Sequence, residues 1–253
     1  MKKPLGKIVA STALLISVAF SSSIASAGGV GHWSYHGETG PQHWGDLKNE
    51  YIMCKIGKNQ SPVDISRIVE AELEKIKINY SSGGSSITNN GHTIKVSYEP
   101  GSYIIVDGIR FELKQFHFHA PSEHTIKGKS YPFEAHFVHA DKDGNLAVIG
   151  VIFKEGKKNP IIEKIWENLP EAGKTIKLAH KINAYDLLPK KKKYYRYSGS
   201  LTTPPCSEGV RWIVMEEEME LSKEQIEKFR KLMGGDTNRP VQPLNARMIM
   251  EMD

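Results

Sequence analysis

What this 253-residue chain has little of narrows its function before any motif is considered. It has no His-Glu-x-x-His helix and no Gly-x-Ser-x-Gly elbow, which argues against a zinc peptidase and a serine esterase. It has no internal repeat, low-complexity segment or linker, so nothing argues for a second domain. Long apolar runs are scarce. The only candidate, Ile8 to Phe20, is shorter than the roughly 20 residues a spanning helix needs. Charge of one sign is also lacking, with 34 basic residues against 29 acidic ones. The single dense basic patch, Lys190 to Lys193, has no aromatic platform or helical stripe beside it and reads as a solvated loop, so no nucleic-acid partner is expected.

Lys2, Lys3 and Lys7, the run Ile8 to Phe20 and the small residues ending at Ala27 read together as a secretory signal peptide over residues 1–27. The mature part is then residues 28–253, with no membrane span, in the periplasm or secreted. Taking three lysines and no acid from the 34 basic and 29 acidic residues leaves a formal charge near +2, so the basic balance is largely a matter of targeting. Cysteine is scarce too. Cys54 and Cys206 in a chain addressed to an oxidising compartment make one disulfide the economical reading, with two free thiols or a bond between subunits as the alternatives.

Short alternating or β-branched stretches recur at Lys75 to Tyr80, Thr93 to Tyr98, Tyr103 to Val106, Ile109 to His119, Phe133 to His139, Leu146 to Phe153 and Val210 to Met215. Helical spacing is clear at Asn159 to Leu169, where Pro160 suits a first turn, and at Ser222 to Met233, where Ser222 and Gln225 make a capping-box pattern. The fold class is therefore mainly β, a strand-rich α+β single domain with a few surface helices.

The chemistry concentrates in Gln115-Phe116-His117-Phe118-His119. Side chains of a strand alternate between faces, so Gln115, His117 and His119 share one face and the two phenylalanines take the other. Glu134, His136 and Val138 share a face in the same way, whereas His139 has the opposite parity. Three imidazoles from two strands can meet one zinc and leave a position open, which is the catalytic rather than the structural arrangement. Gln115 and Glu134, two residues before ligands, are placed to accept a ring N–H and fix the tautomer. A bare His-x-His is a weak signal by itself, and His32, His36 and His43 read as surface or packing residues.

Several motifs in order then carry a resemblance. They are Gly40-Pro41-Gln42-His43-Trp44, Gln60-Ser61-Pro62-Val63-Asp64-Ile65, Asn89-Asn90-Gly91-His92, the Gln115 to His124 segment, Glu134-Ala135-His136 and Gly199-Ser200-Leu201-Thr202-Thr203-Pro204-Pro205. From about Trp33 to Arg247 the chain resembles an α-class carbonic anhydrase of the exported bacterial type. The resemblance implies a central, twisted, mostly antiparallel sheet with zinc at the base of a conical cleft. It implies reversible hydration of carbon dioxide to bicarbonate and a proton, with inhibition by anions and sulfonamides.

By the same resemblance, Thr202 and Glu123 orient the nucleophile, and Val138, Val148, Leu201 and Trp212 form the carbon dioxide pocket. His92 is then the proton shuttle, with Tyr35 and Asn90 holding the connecting waters. Lys95 stands where the best-known members carry a neutral polar residue. The resemblance also implies a Cys54 to Cys206 bond tying the Thr202 loop to the N-terminal region, cis bonds before Pro62 and Pro205, and a homodimer. The rival readings are a zinc-binding member acting as a non-catalytic binding module, and a zinc esterase.

Overall fold

The computed structural model describes residues 32–253, so the expected signal peptide lies outside the described residues. The strands are β1 (Asp64–Ile65), β2 (Ile68–Ala71), β3 (Lys77–Asn79), β4 (Gly84–Asn89), β5 (Ile94–Tyr98), β6 (Tyr103–Val106), β7 (Ile109–His119), β8 (Thr125–Ile126), β9 (Phe133–Ala140), β10 (Leu146–Glu155), β11 (Lys174–Ile182), β12 (Tyr194–Ser200), β13 (Glu208–Met215), β14 (Met219–Leu221) and β15 (Ile249–Met252). Two short helices, α1 (Trp44–Leu47) and α2 (Met53–Ile56), precede β1, and α3 (Pro160–Trp166) and α4 (Lys223–Met233) follow β10 and β14.

One sheet of 13 strands runs in the order β11, β4, β5, β7, β9, β10, β13, β12, β15, β2, with β14 beside β10 and β6 joining β3 to β7. Its pairs are antiparallel except β10 with β13, β10 with β14 and β15 with β2. The mainly β, single-domain architecture with a mostly antiparallel sheet is as the sequence pattern requires. The two helices with a clear apolar period form as well, each shorter than its periodic stretch. β3 is shorter than Lys75 to Tyr80, and β1, β2, β4, β8, β11, β12, β14 and β15 are strands beyond those the sequence pattern predicts.

The alternation of side chains divides the interior in two. Phe116 and Phe118 of β7 join Phe133 and Phe137 of β9 on one face, beneath Trp166 of α3 and Phe229 of α4. Those last two rings stack, with centroids 5.8 Å apart and planes 13° from parallel. Burying each such ring stabilises the fold by about 1.5–3 kcal/mol. The opposite face carries Val63, Ile65, Val148, Tyr197, Trp212 and Val214.

Both helices start on a cap. Asn159 accepts from the amides of Ile161 and Ile162 ahead of Pro160, and Ser222 and Gln225 close a reciprocal capping box. Gly234 ends α4 at φ 73°, a left-handed conformation that glycine adopts without strain.

Cys54 and Cys206 are joined. Closing a loop of 152 residues contributes on the order of 5 kcal/mol in the chain-entropy account. The bonds before Pro62 and Pro205 are cis, and so is the one before Pro121.

His139 lies on the helix-covered face, fully buried, with Nε2 2.5 Å from the Tyr80 hydroxyl and Nδ1 3.1 Å from the Ala147 carbonyl. Burial lowers its pKa to about 3. Between that value and the ordinary 6.5 the unfolded chain binds a proton at this position and the native chain does not. The stabilisation from keeping His139 neutral is thus complete above pH 6.5 and lost as pH falls toward 3, by up to about 1.4 kcal/mol per pH unit. Urea unfolding measured from pH 4 to 6.5 is expected to show this slope in the parent and about one proton less of it in His139→Gln. Equal slopes would assign the acid sensitivity to another group.

Candidate metal centre

The pairing register assembles the site. On the face opposite the phenylalanines, His117 lies directly across from His136 and His119 across from Glu134. Cross-strand partners have Cβ atoms only about 5 Å apart, so the three imidazoles converge. Their ring centroids are 5.1 Å (His117 to His119), 5.4 Å (His117 to His136) and 4.6 Å (His119 to His136) apart. One nitrogen from each ring lies within 4.8 Å of the others.

Which nitrogens face inward follows from what the others touch. His117 Nδ1 is 2.9 Å from Gln115 Oε1, His119 Nδ1 is 2.6 Å from the Thr237 carbonyl and His136 Nε2 is 2.8 Å from Glu134 Oε1. Each acceptor takes a ring N–H, which leaves His117 Nε2, His119 Nε2 and His136 Nδ1 as unprotonated donors. Burial, then neighbouring imidazole charge, lowers the pKa of His117 well below its ordinary value. Burial lowers His119 to about 4 and also lowers His136. Neutral imidazole is the metal-binding form.

Glu134 is the anchor rather than a ligand. Its Oε1 accepts from His124 Nδ1 at 2.7 Å and from His136 Nε2, and its Oε2 accepts from the amides of Glu123 at 2.8 Å and His124 at 2.9 Å. Burial opposes its ionisation, but His124 and His136 outweigh that and hold the carboxyl well below the usual range. A second cluster of possible donors, His124, Glu134 and His136, is consumed by these bonds. His124 Nε2 continues to the Tyr197 hydroxyl at 2.7 Å, which lies 2.9 Å from Ser61 Oγ.

Glu123 is buried beside the imidazoles, its Oε2 3.5 Å from His119 Nε2. Its Oε1 accepts from the Arg239 amide at 2.7 Å. Burial pushes its carboxyl up to about 7, against which nearby His136, the Arg239 amide and Thr202 act. His119 Nε2 and Glu123 Oε2 are the two buried side-chain atoms without a hydrogen-bond partner among the described residues. An unpaired buried nitrogen costs stability unless something fills the space between the donors. Three neutral imidazole nitrogens with anchored rings and an adjacent carboxylate fit zinc, and a cation there would draw Glu123 back to its ionised form.

Thr202 is buried in the loop after β12. Ser200 positions that loop by accepting from the Ser61 amide and donating to the Leu201 carbonyl, and Gln60 Nε2 donates to the Cys206 carbonyl at 3.0 Å. At Gly199 a Cβ would stand 2.1 Å from Ser61 Oγ and 2.8 Å from Trp212 Cδ1, so only glycine lets the loop approach this closely. Val148 and Trp212 share one apolar cluster, with Val138 and Leu201 packed against it.

His92 sits at the rim, stacked on Trp33 at 3.7 Å with an 11° interplanar angle. The His32 ring also stacks on His92, with centroids 5.4 Å apart. Burial, then the charge of His32, lowers the pKa of His92 to about 4 in this position. Tyr35 packs edge-on at 6.5 Å, and burial followed by the charge of Glu123 raises its phenol well above the usual value. The Asn90 side chain accepts from the amides of His92 and Thr93, so it shapes the turn that presents His92. Thr93 Oγ1 then donates to the Phe118 carbonyl at 2.6 Å, tying that turn to β7.

Three contributors had no sequence signal. Thr237 acts through its carbonyl, Arg239 through its amide, and Tyr197 is one of several tyrosines in β12. The structure brings His117, His119, His136, Gln115, Glu134, Glu123 and Thr202 together, and groups Tyr35 with His92 and Asn90 of the turn before β5.

Comparisons with known proteins identify the family. A model of the eukaryotic-type carbonic anhydrase family matches residues 39–253. A carbonic anhydrase of Neisseria gonorrhoeae is 46% identical over 241 residues, covering 95% of this chain and 96% of the relative. The α-carbonic anhydrase of Thermovibrio ammonificans, solved in complex with the inhibitor sulfanilamide, has a TM-score of 0.86 and 62% identity, with 88% of this chain and 100% of that chain covered. The Photobacterium profundum α-carbonic anhydrase gives a TM-score of 0.83 and 49% identity over 87% of this chain and 100% of that one. With a family match over most of its length and relatives this similar, the chain belongs to the eukaryotic-type, or α, carbonic anhydrase family.

Proposed function

We propose that this protein catalyses the reversible hydration of carbon dioxide to bicarbonate and a proton, with zinc held by His117 Nε2, His119 Nε2 and His136 Nδ1. The observation that carries the reading is that each imidazole is anchored through its other nitrogen, leaving three neutral donors converging beside a buried carboxylate. Zinc supplies a Lewis acid that makes bound water nucleophilic near neutral pH, carbonic anhydrases being the reference case for that chemistry.

The chain's own residues do the remainder. The Thr202 hydroxyl has one proton, and giving it to Glu123 leaves only lone pairs toward the attacking oxygen. Thr202 therefore accepts a hydrogen bond from that oxygen and aims its lone pair at the substrate. Glu123, held through Oε1 by the Arg239 amide, orients Thr202 and is not the general base. Carbon dioxide is apolar and uncharged, and Val138, Val148, Leu201 and Trp212 give it a dry seat beside the donors.

His92 carries the proton outward, a task suited to a side chain that titrates near neutrality. Stacked on Trp33 it is a weak base, so taking up the proton goes with a move away from that ring toward water. Tyr35 lines the path, and Asn90 fixes its turn. The Cys54 to Cys206 bond and the apolar segment over residues 8–20 support export to the periplasm or beyond, with residues 1–27 removed. No helix among the described residues is long and apolar enough to cross a membrane. Sulfonamides and small anions are expected ligands of the same centre.

Metal analysis beside stopped-flow hydration tests the assignment. One zinc per chain and activity lost on chelation and regained with zinc are expected, and His119→Gln should lose both metal and turnover. Purified protein that takes up no zinc overturns the proposal. Val148→Phe is expected to retain zinc and lose turnover by about 10²-fold or more, because it fills the substrate seat; unchanged turnover removes Val148 from the pocket. His92→Ala should turn over roughly tenfold to a hundredfold more slowly in weak buffer and recover with added imidazole. Parent-like rates in weak buffer would take His92 out of the proton path.

A further inference from the structure

The sheet register draws lines across the site that its ligands alone do not reveal. One line runs from Gly150 through His136, His117 and Lys95 to Thr88 and Thr175. A parallel line runs from Trp212 through Val148 and Val138 to Gln115 and Ser97. The imidazoles are thereby flanked unequally. Toward β10 and β13 the wall is apolar, and toward β5 and β4 it is polar, with Lys95 as the cross-strand partner of His117 itself.

Lys95 shares the face of His117, because directly opposed residues of an antiparallel pair point the same way. Its neighbours on that strand, Ile94 and Val96, are fully buried on the other face, while Lys95 remains partly exposed. Among the described residues it pairs with no carboxylate. Glu99 is engaged by Lys181, and Glu112 by Arg110 and Lys114. Thr88, beside it, is hydrogen-bonded to Thr175 at 2.8 Å. A cation on an active-site wall that no acid neutralises leaves its field free to act on whatever enters.

We infer that Lys95 sets the affinity of this centre for anions, bicarbonate first among them, by standing unneutralised across the β5–β7 pair from His117. The inference rests on the carbonic anhydrase reading above and adds a specificity determinant to it. Neutral carbon dioxide is insensitive to this charge in its ground state, whereas bicarbonate and other small monoanions are drawn to the polar wall and held there.

Cobalt(II) in place of zinc allows a readout other than turnover, since its visible absorption changes when an anion binds. Thiocyanate titrations at pH 6 and low ionic strength would compare the parent, Lys95→Gln and Lys95→Arg, with the anion-free spectrum showing that each holds the metal equally. The dissociation constant is expected to rise about three- to tenfold in Lys95→Gln and to stay within about twofold of the parent in Lys95→Arg, the difference shrinking as salt screens the charge. A Lys95→Gln value equal to the parent's, with the metal held, overturns the inference alone. An arginine variant as weak as the glutamine one overturns the charge-based account. A parent protein that takes up no cobalt overturns the metal reading and this inference together.

Discussion

The pairing of β7 with β9 is the constraint on which the rest depends. Its register sets His117 opposite His136 and His119 opposite Glu134, and it sends Phe116, Phe118 and Phe137 to the far side. A one-residue slip would move every one of these side chains to the other face. The core and the imidazole cluster are thus two consequences of the same alignment, and the large aromatic burial beneath α3 and α4 resists any slip that would dismantle the cluster.

Around that floor, one carboxylate organises the second tier. Glu134 accepts four hydrogen bonds, two from imidazoles and two from the backbone of Glu123 and His124. It therefore orients the His136 ring and, in the same act, fixes the backbone that carries Glu123. Buried charge is costly unless every lone pair is used, and here all are used. The roof is held differently. The Thr202 loop is fixed by Ser61, Gln60 and the close approach allowed by Gly199, none of which belongs to the strands that carry the ligands.

The sequence disclosed much of this because strand parity is a strict rule. Gln115, His117, His119, Glu134 and His136 could be assigned to one face from spacing alone, and His139 to the other. Thr202, Glu123 and His92 were legible only through resemblance, since a threonine in a loop or a histidine after Asn-Gly carries no chemistry in its spacing. β11, at one edge of the sheet, and β4 beside it escape the sequence pattern for local reasons. β4 reads Gly-Ser-Ser-Ile-Thr-Asn and has too few apolar residues to show a period, and β11 is interrupted by an irregularity between Lys177 and Ile182. Thr237 and Arg239 reach His119 and Glu123 through main-chain atoms, which any residue type supplies equally.

Arg239 deserves its place in the account for what it joins. Its guanidinium donates to Gln60, to the Ser61 carbonyl and to the Cys54 carbonyl, while its own amide reaches Glu123. Segments near the two ends of the described chain, together with the cross-linked cysteine pair, thereby meet at a single side chain. Fraying of the C-terminal segment would loosen Glu123 through the Arg239 amide and His119 through the Thr237 carbonyl, whereas the Gln115 and Glu134 anchors of His117 and His136 belong to the sheet itself. A partly opened molecule would therefore lose the alignment of one imidazole and of the buried carboxylate together, while the other two rings keep their places.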